Sequence, residues 1–298
     1  MKYLKYINKH IPNQKGKTFI ITGATSGIGL EATKQLAYKE AKVIMAVRNL
    51  KKAETVKEEI IKEVPNANIE IMRYDQADFS SIEEFANLIK NNKYDCLILN
   101  AGIFHPTNNM KTVDGYPLTI GTNYLGMYYL AEHLKESFSN GNIKRVVVTS
   151  SLVRVFGRTK HYKKYLLEVR NHPNRTYNIS KKMNYNFAAN LKAKYPNLEV
   201  VITHPGLART NIIQADSSSF KSWFKFAGDK FLKIFANSAE KSAICTLLSA
   251  TKTEICELDF VYPRGIIHAV GYPKISHRKI DKIKDPYLEE STHQILEN

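Results

Sequence analysis

The chain has 298 residues and a formal net charge of +16, from 44 Lys and Arg against 28 Asp and Glu. Hydrophobic residues at 43% and charged residues at 24% fit a folded globular protein and exclude a disordered or fibrous one. No apolar run approaches the roughly 18 to 20 residues that cross a bilayer. The opening MKYLKYINKHIPNQKGK has neither a signal-peptide core nor a membrane anchor, so a cytoplasmic protein is expected. The three cysteines, Cys96, Cys245 and Cys256, lie in apolar stretches without metal-ligand spacing, and the histidines are scattered. No disulfide scaffold and no metal are expected. The basic residues are spread along the chain and mixed with Glu, as in KKAETVKEEIIKE. That pattern reads as solvated helix faces, and no aromatic-spaced basic platform marks a nucleic-acid partner.

In chain order, the predicted strands are Thr18–Thr22 (TFIIT), Lys42–Val47, Ile69–Arg73, Cys96–Leu99, Arg145–Thr149 and Val200–Thr203. Their near-continuous apolar character predicts strands buried on both faces, hence a parallel sheet. Helical periodicity runs through Ile28–Tyr38, Ala53–Val64, Ile82–Ile89 and Tyr177–Tyr195. Strand–helix alternation at this pace predicts one α/β domain over 1–298, a Rossmann-type doubly wound sheet of about seven strands with helices on both faces.

The first strand runs into Gly23-Ala-Thr-Ser-Gly27-Ile-Gly29 and a helix follows. A glycine-rich turn opening a helix offers backbone N–H groups and a dipole to a pyrophosphate. The second strand ends in MAVRN, with Arg48 and no acidic residue before Glu54. A carboxylate there would hold a ribose hydroxyl, whereas a guanidinium binds a 2′-phosphate, so NADP(H) is expected over NAD(H). Further on, Tyr177 and Lys181 are spaced to share one helix face. An ammonium beside a phenol lowers its pKa from about 10 and makes it a usable acid or base.

With these motifs in order, the chain resembles a classical short-chain dehydrogenase/reductase. Thr22–Gly29 matches the family's TGxxxGIG turn, which assigns Gly23, Thr25, Ser26, Gly27, Ile28 and Gly29 to the cofactor. Asn100-Ala101-Gly102 matches its NAG motif, and Asp75 stands where an aspartate contacts the adenine, with Gln76 beside it in the cofactor set. Pro205, Gly206 and Thr210 match the PGxxxT stretch beside the nicotinamide. The resemblance implies a catalytic tetrad of Asn123, Ser151, Tyr177 and Lys181. Tyr177 would transfer the proton, and Ser151 rather than Ser150 would hold the substrate oxygen. Lys181 would bind the nicotinamide ribose, and Asn123 would fix a water in a relay. Family members commonly form homodimers or homotetramers.

The 26-residue step from Ser151 to Tyr177 is longer than in most classical members and resembles the retinol-dehydrogenase-like branch. The insert, 152–176, is unusually basic and carries Tyr162 and Tyr165, so a retinoid substrate is not carried over. A substrate-binding lid is expected around 207–237. Within it, Phe220–Ala236 alternates aromatic residues with lysines at helical spacing. It reads as a lid over a small apolar carbonyl or alcohol, or as a weak peripheral membrane contact. His204 and Cys96 read as packed residues. The alternative function is a non-enzymatic NADP(H)-binding regulator, a class that usually lacks part of the tetrad.

Overall fold

The computed structural model describes residues 2–104, 110–157, 162–170, 172–206, 237–254, 256, 258–265, 268 and 270–297. Helix α1 (Lys2–His10) precedes β1 (Thr18–Thr22), α2 (Gly27–Tyr38), β2 (Lys42–Val47) and α3 (Leu50–Glu63). Then come β3 (Asn68–Arg73), α4 (Phe79–Ile89) and β4 (Cys96–Leu99). A π-helical turn (Gly121–Leu125) leads into α5 (Gly126–His133), followed by β5 (Arg145–Thr149), α6 (Tyr162–Leu167) and the long α7 (Pro173–Lys194). The remaining elements are β6 (Glu199–Thr203), α8 (Ala239–Thr251), β7 (Asp259–Pro263), β8 (Pro273–His277) and α9 (Pro286–Leu296).

The strands form one sheet in the order β3-β2-β1-β4-β5-β6-β7-β8. The first seven are parallel, and β8 runs antiparallel to β7. The eighth strand was not expected. Its sequence PKISH is polar and only partly buried, so it lacks the apolar run that marks a strand covered on both faces. Alternate residues of each inner strand feed two cores. Ile20, Ile44, Leu97, Val146 and Ile202 pack with α4, α5 and α7. Phe19, Ile21, Met45, Ile98 and Val201 pack on the other face with α1, α2, α3 and α8. The sheet order reverses between β1 and β4, where successive crossovers leave to opposite faces and a crevice opens at the strands' carboxyl ends.

Within the described part of the basic insert, one short helix is anchored to the rest of the fold. Tyr162, Tyr165 and Leu166 are buried in α6, which packs against α9. Of the expected lid around 207–237, residues 207–236, with Thr210 and Phe220–Ala236, lie outside the described residues. No described helix is long and apolar enough to cross a membrane.

Candidate active site

A cavity of about 610 Å³ occupies the crevice at the carboxyl ends of β1, β2, β4, β5 and β6. Its floor is the glycine turn. Gly23 and Gly27 have positive φ (+70° and +54°), a conformation that a Cβ makes costly. At Gly29 the constraint is space, since a Cβ would lie 2.4 Å from the Gly23 carbonyl oxygen and 2.7 Å from Asn100 Nδ2. Gly29 therefore lies behind the wall, while Gly23, Thr25, Ser26, Gly27 and Ile28 form it. Helices α3 and α4 are capped by Asn49 and Asp78 side chains, but Ser26 makes no side-chain cap at α2. The first-turn N–H groups of α2 thus border the cavity without that internal acceptor, and they fit a pyrophosphate.

Asn100-Ala101-Gly102 is fastened to the end of β1. Thr22 Oγ1 accepts from the N–H groups of Asn100 and Ala101, both at 3.0 Å, and Asn100 Nδ2 donates to the Thr22 carbonyl at 3.0 Å. Gln76 lines the cavity, yet its side chain is engaged in the scaffold. Its Nε2 donates to the carbonyls of Ala101 and Thr122, and its Oε1 accepts from Tyr74. At the outer rim Arg48 is largely exposed, 3.9 Å from the Asp75 carboxylate. Lys52 and Asn49 join Arg48 on the cavity wall, and neither was singled out in the sequence. The pattern Asn49-x-x-Lys52 at a helix start, one residue after Arg48, is the signal that could have found them.

Ser151, Tyr177 and Lys181 meet on the opposite wall with Pro205 and Gly206. Part of Tyr177 faces the cavity, but burial around the phenol pushes its pKa up to about 12, opposed by a hydrogen bond with Ser151. Burial lowers Lys181 to about 8. The lowering of Tyr177 expected from Lys181 is not what this geometry gives. Lys181 Nζ lies 5.7 Å from the Tyr177 ring centroid and donates to the Thr149 carbonyl at 3.3 Å, and the phenol responds to burial and Ser151. The paired serines are distinct: Ser150 is buried and its Oγ donates to the Lys181 carbonyl at 2.8 Å, whereas Ser151 faces Tyr177. Phe104 stands edge-on to Tyr177, with centroids 4.8 Å apart.

Asn123 does not line the cavity. It is fully buried in the π turn, where its Oδ1 accepts from the Ile103 N–H at 2.7 Å and its Nδ2 donates to the Ile103 carbonyl at 2.9 Å and to Ser180 Oγ at 3.0 Å. A Cβ at Gly102 would lie between its Oδ1 (3.0 Å) and Lys181 Nζ (3.4 Å). His204 is buried at the cavity edge, where burial, with Arg154 adding to it, lowers its pKa to about 3 and keeps it neutral. Cys96 is buried in β4, and burial raises its thiol to about 12.

Residues 17–165 match the family described as short chain dehydrogenase. Human retinol dehydrogenase 11 is 32% identical over 236 residues, covering 78% of this chain and 73% of its own. The WW domain-containing oxidoreductase of Gallus gallus is 32% identical over 259 residues, covering 83% of this chain and 61% of its own. An uncharacterized protein from Mycobacterium Paratuberculosis has a crystal structure that superposes with a TM-score of 0.72 at 26% identity, covering 96% of both chains. A short chain dehydrogenase from Shigella flexneri, solved with NADP, shares the fold at a TM-score of 0.63 and 21% identity, over 83% of this chain and 97% of its own. The cavity therefore lies in a retinol-dehydrogenase-like member of the short-chain dehydrogenase/reductase family, to which this chain belongs.

Proposed function

We propose that this oxidoreductase interconverts a carbonyl and an alcohol with NADP(H), Tyr177 serving as the general acid and base. The observation that carries the reading is the meeting of Ser151, Tyr177 and Lys181 on one wall, across a single cavity from the glycine turn. NADPH, when bound, supplies the hydride. With its pKa raised by burial, Tyr177 is protonated at neutral pH and placed to give its proton to an oxygen beside Ser151. Ser151 offers that oxygen a hydrogen bond that strengthens as charge develops on it. Lys181, held from behind by Ser150, brings its charge to the same corner. Ile103, Phe104 and Val153 make the adjoining wall apolar, which favours a small apolar substrate. A homodimer or homotetramer is the assembly that goes with this reading.

The test is oxidation of NADPH, followed by absorbance, against a panel of aldehydes and ketones. Turnover of apolar carbonyls is expected. Tight NADPH binding with no turnover of any of them would instead point to the regulator.

Two substitutions probe the assignment. Ser151→Ala should lower kcat by about 10²-fold, the scale of losing one placed donor to a developing oxyanion. Ser150→Ala should cost less than about tenfold, because it removes only a neutral bond behind Lys181. Steady-state kinetics on both variants checks the order, and a reversal would exchange the two roles. Arg48→Asp should raise the Kd for NADPH by roughly tenfold or more and leave NADH binding unchanged or tighter, since a charge-assisted bond of about 1.5–3 kcal/mol is replaced by repulsion. Fluorescence titration measures both. Undiminished NADPH affinity would remove Arg48 from the site and leave Lys52 to hold the phosphate.

A further inference from the structure

At the β8 edge of the sheet, four strands and more from the β1 that leads into the glycine turn, three side chains separated in sequence come together. Asp259 opens β7 and His277 closes β8, and the antiparallel register sets them directly across from each other. Cys256 lies three residues before β7. The Asp259 side chain is fully buried, with Oδ1 2.6 Å from His277 Nδ1 and Oδ2 2.9 Å from Lys252 Nζ. Lys252 follows α8, and its carbonyl accepts from Arg145 at 2.7 Å. Burial alone would raise the Asp259 carboxyl, but the hydrogen bonds from Lys252 and His277 outweigh it and hold the group below its ordinary range. A carboxylate at Nδ1 fixes the imidazole proton there and leaves Nε2 as the basic nitrogen. That nitrogen faces Cys256 Sγ at 3.9 Å, and both Cys256 and His277 are exposed.

Thiol, imidazole and buried carboxylate in series can act as a metal site or as a nucleophile with its base. A metal would need the carboxylate as a third ligand, yet each of its oxygens already accepts a bond and one comes from an ammonium that would repel a cation. The nucleophile needs no rearrangement. We propose that Cys256 is an activated thiol open to modification by small disulfides, with His277 as its base and Asp259 as a positioning residue. His277 Nε2 takes the thiol proton, and Cys256 Sγ attacks one sulfur of the disulfide. One S–S bond forms as the other breaks. The Cys256 sulfur is oxidised, and the departing sulfur is reduced to a thiolate, which takes up a proton. Cys96 and Cys245 are buried, and burial pushes both thiols up, so they serve as inert internal references.

The test is the rate of iodoacetamide labelling at pH 7, resolved by site with mass spectrometry, and it does not depend on the redox reaction proposed above. An ordinary thiol is only a few per cent thiolate at that pH, so Cys256 should react at least about fivefold faster in the native chain than in His277→Asn or Asp259→Asn. Cys96 and Cys245 should stay unlabelled in all three, which reports an intact fold. Oxidised glutathione should then give one mixed disulfide, on Cys256, with one thiol released per chain. Rates within about twofold across the three proteins overturn the proposal. Where a variant labels Cys96 or Cys245 and so is not folded, the native protein decides, and a Cys256 no faster than free glutathione overturns it. Labelling blocked by one equivalent of Zn²⁺ in the native chain but not in His277→Asn also overturns it, in favour of a metal site.

Discussion

Tyr177→Phe is expected to lower kcat by about 10³-fold or more while leaving the Kd for NADPH within a few fold, because proton transfer is lost and the ring stays. The phenyl ring keeps its edge-on contact with Phe104 and its place beside Lys181. What disappears is the oxygen that shares a hydrogen bond with Ser151 and that burial keeps protonated at neutral pH. Stopped-flow or steady-state oxidation of NADPH measures the first quantity and fluorescence titration the second. A variant that turns over as fast as the native chain would take Tyr177 out of the chemistry. One that loses NADPH affinity in proportion to kcat would make it a binding residue instead.

The second large effect is predicted at Gly29. Replacing it with Ala puts a methyl group 2.4 Å from the Gly23 carbonyl oxygen and 2.7 Å from Asn100 Nδ2. The first neighbour is backbone and cannot swing aside, and the second is bonded to Thr22, so the turn itself must move. Overpacking of this kind costs roughly 1–3 kcal/mol. The displacement falls on the N–H groups proposed to receive the pyrophosphate, so NADPH affinity should drop by at least about tenfold along with a lower melting temperature. Thermal melts with and without NADPH separate the two effects. An unchanged melting temperature with unchanged NADPH-induced stabilisation would mean that the turn tolerates the methyl group and is not the binding floor.

Much of the sheet was legible because parallel strands buried on both faces must be apolar throughout. Thr18–Thr22, Lys42–Val47, Cys96–Leu99 and Arg145–Thr149 stand where the apolar runs place them. Helix starts were less legible: α3 begins at Leu50 and α4 at Phe79, each three residues before its expected start. There the caps Asn49 and Asp78 decide, ahead of the first apolar residue of the periodic stretch. Antiparallel β8 escaped because half-buried edge strands carry no such run. Local motifs brought the glycine turn and the Tyr177–Lys181 pair into view, since each is written in a few consecutive residues. Phe104 and the Cys256–His277–Asp259 cluster were not legible, because they become neighbours only when separate elements close on one another. The direction in which Lys181 Nζ points is likewise tertiary, set by the Thr149 carbonyl rather than by spacing along α7.

The π turn at Asn123 has a consequence for how the two halves of the cavity are joined. β4 ends at Leu99, yet four residues on Ile103 has its N–H and its carbonyl satisfied by one side-chain amide. That amide presents one acceptor and one donor, as a neighbouring strand would, and so acts as a rung of sheet made from a side chain. The extra residue of a π turn shifts the side chains that follow it around the helix axis. Through Ser180 Oγ the same rung is tied to α7, one residue from Lys181. The spacing between the loop that follows β4 and the helix carrying Tyr177 is thus gauged by a single amide. An aspartate in its place could accept from Ile103 but not donate to it, so the gauge depends on asparagine's two unlike ends.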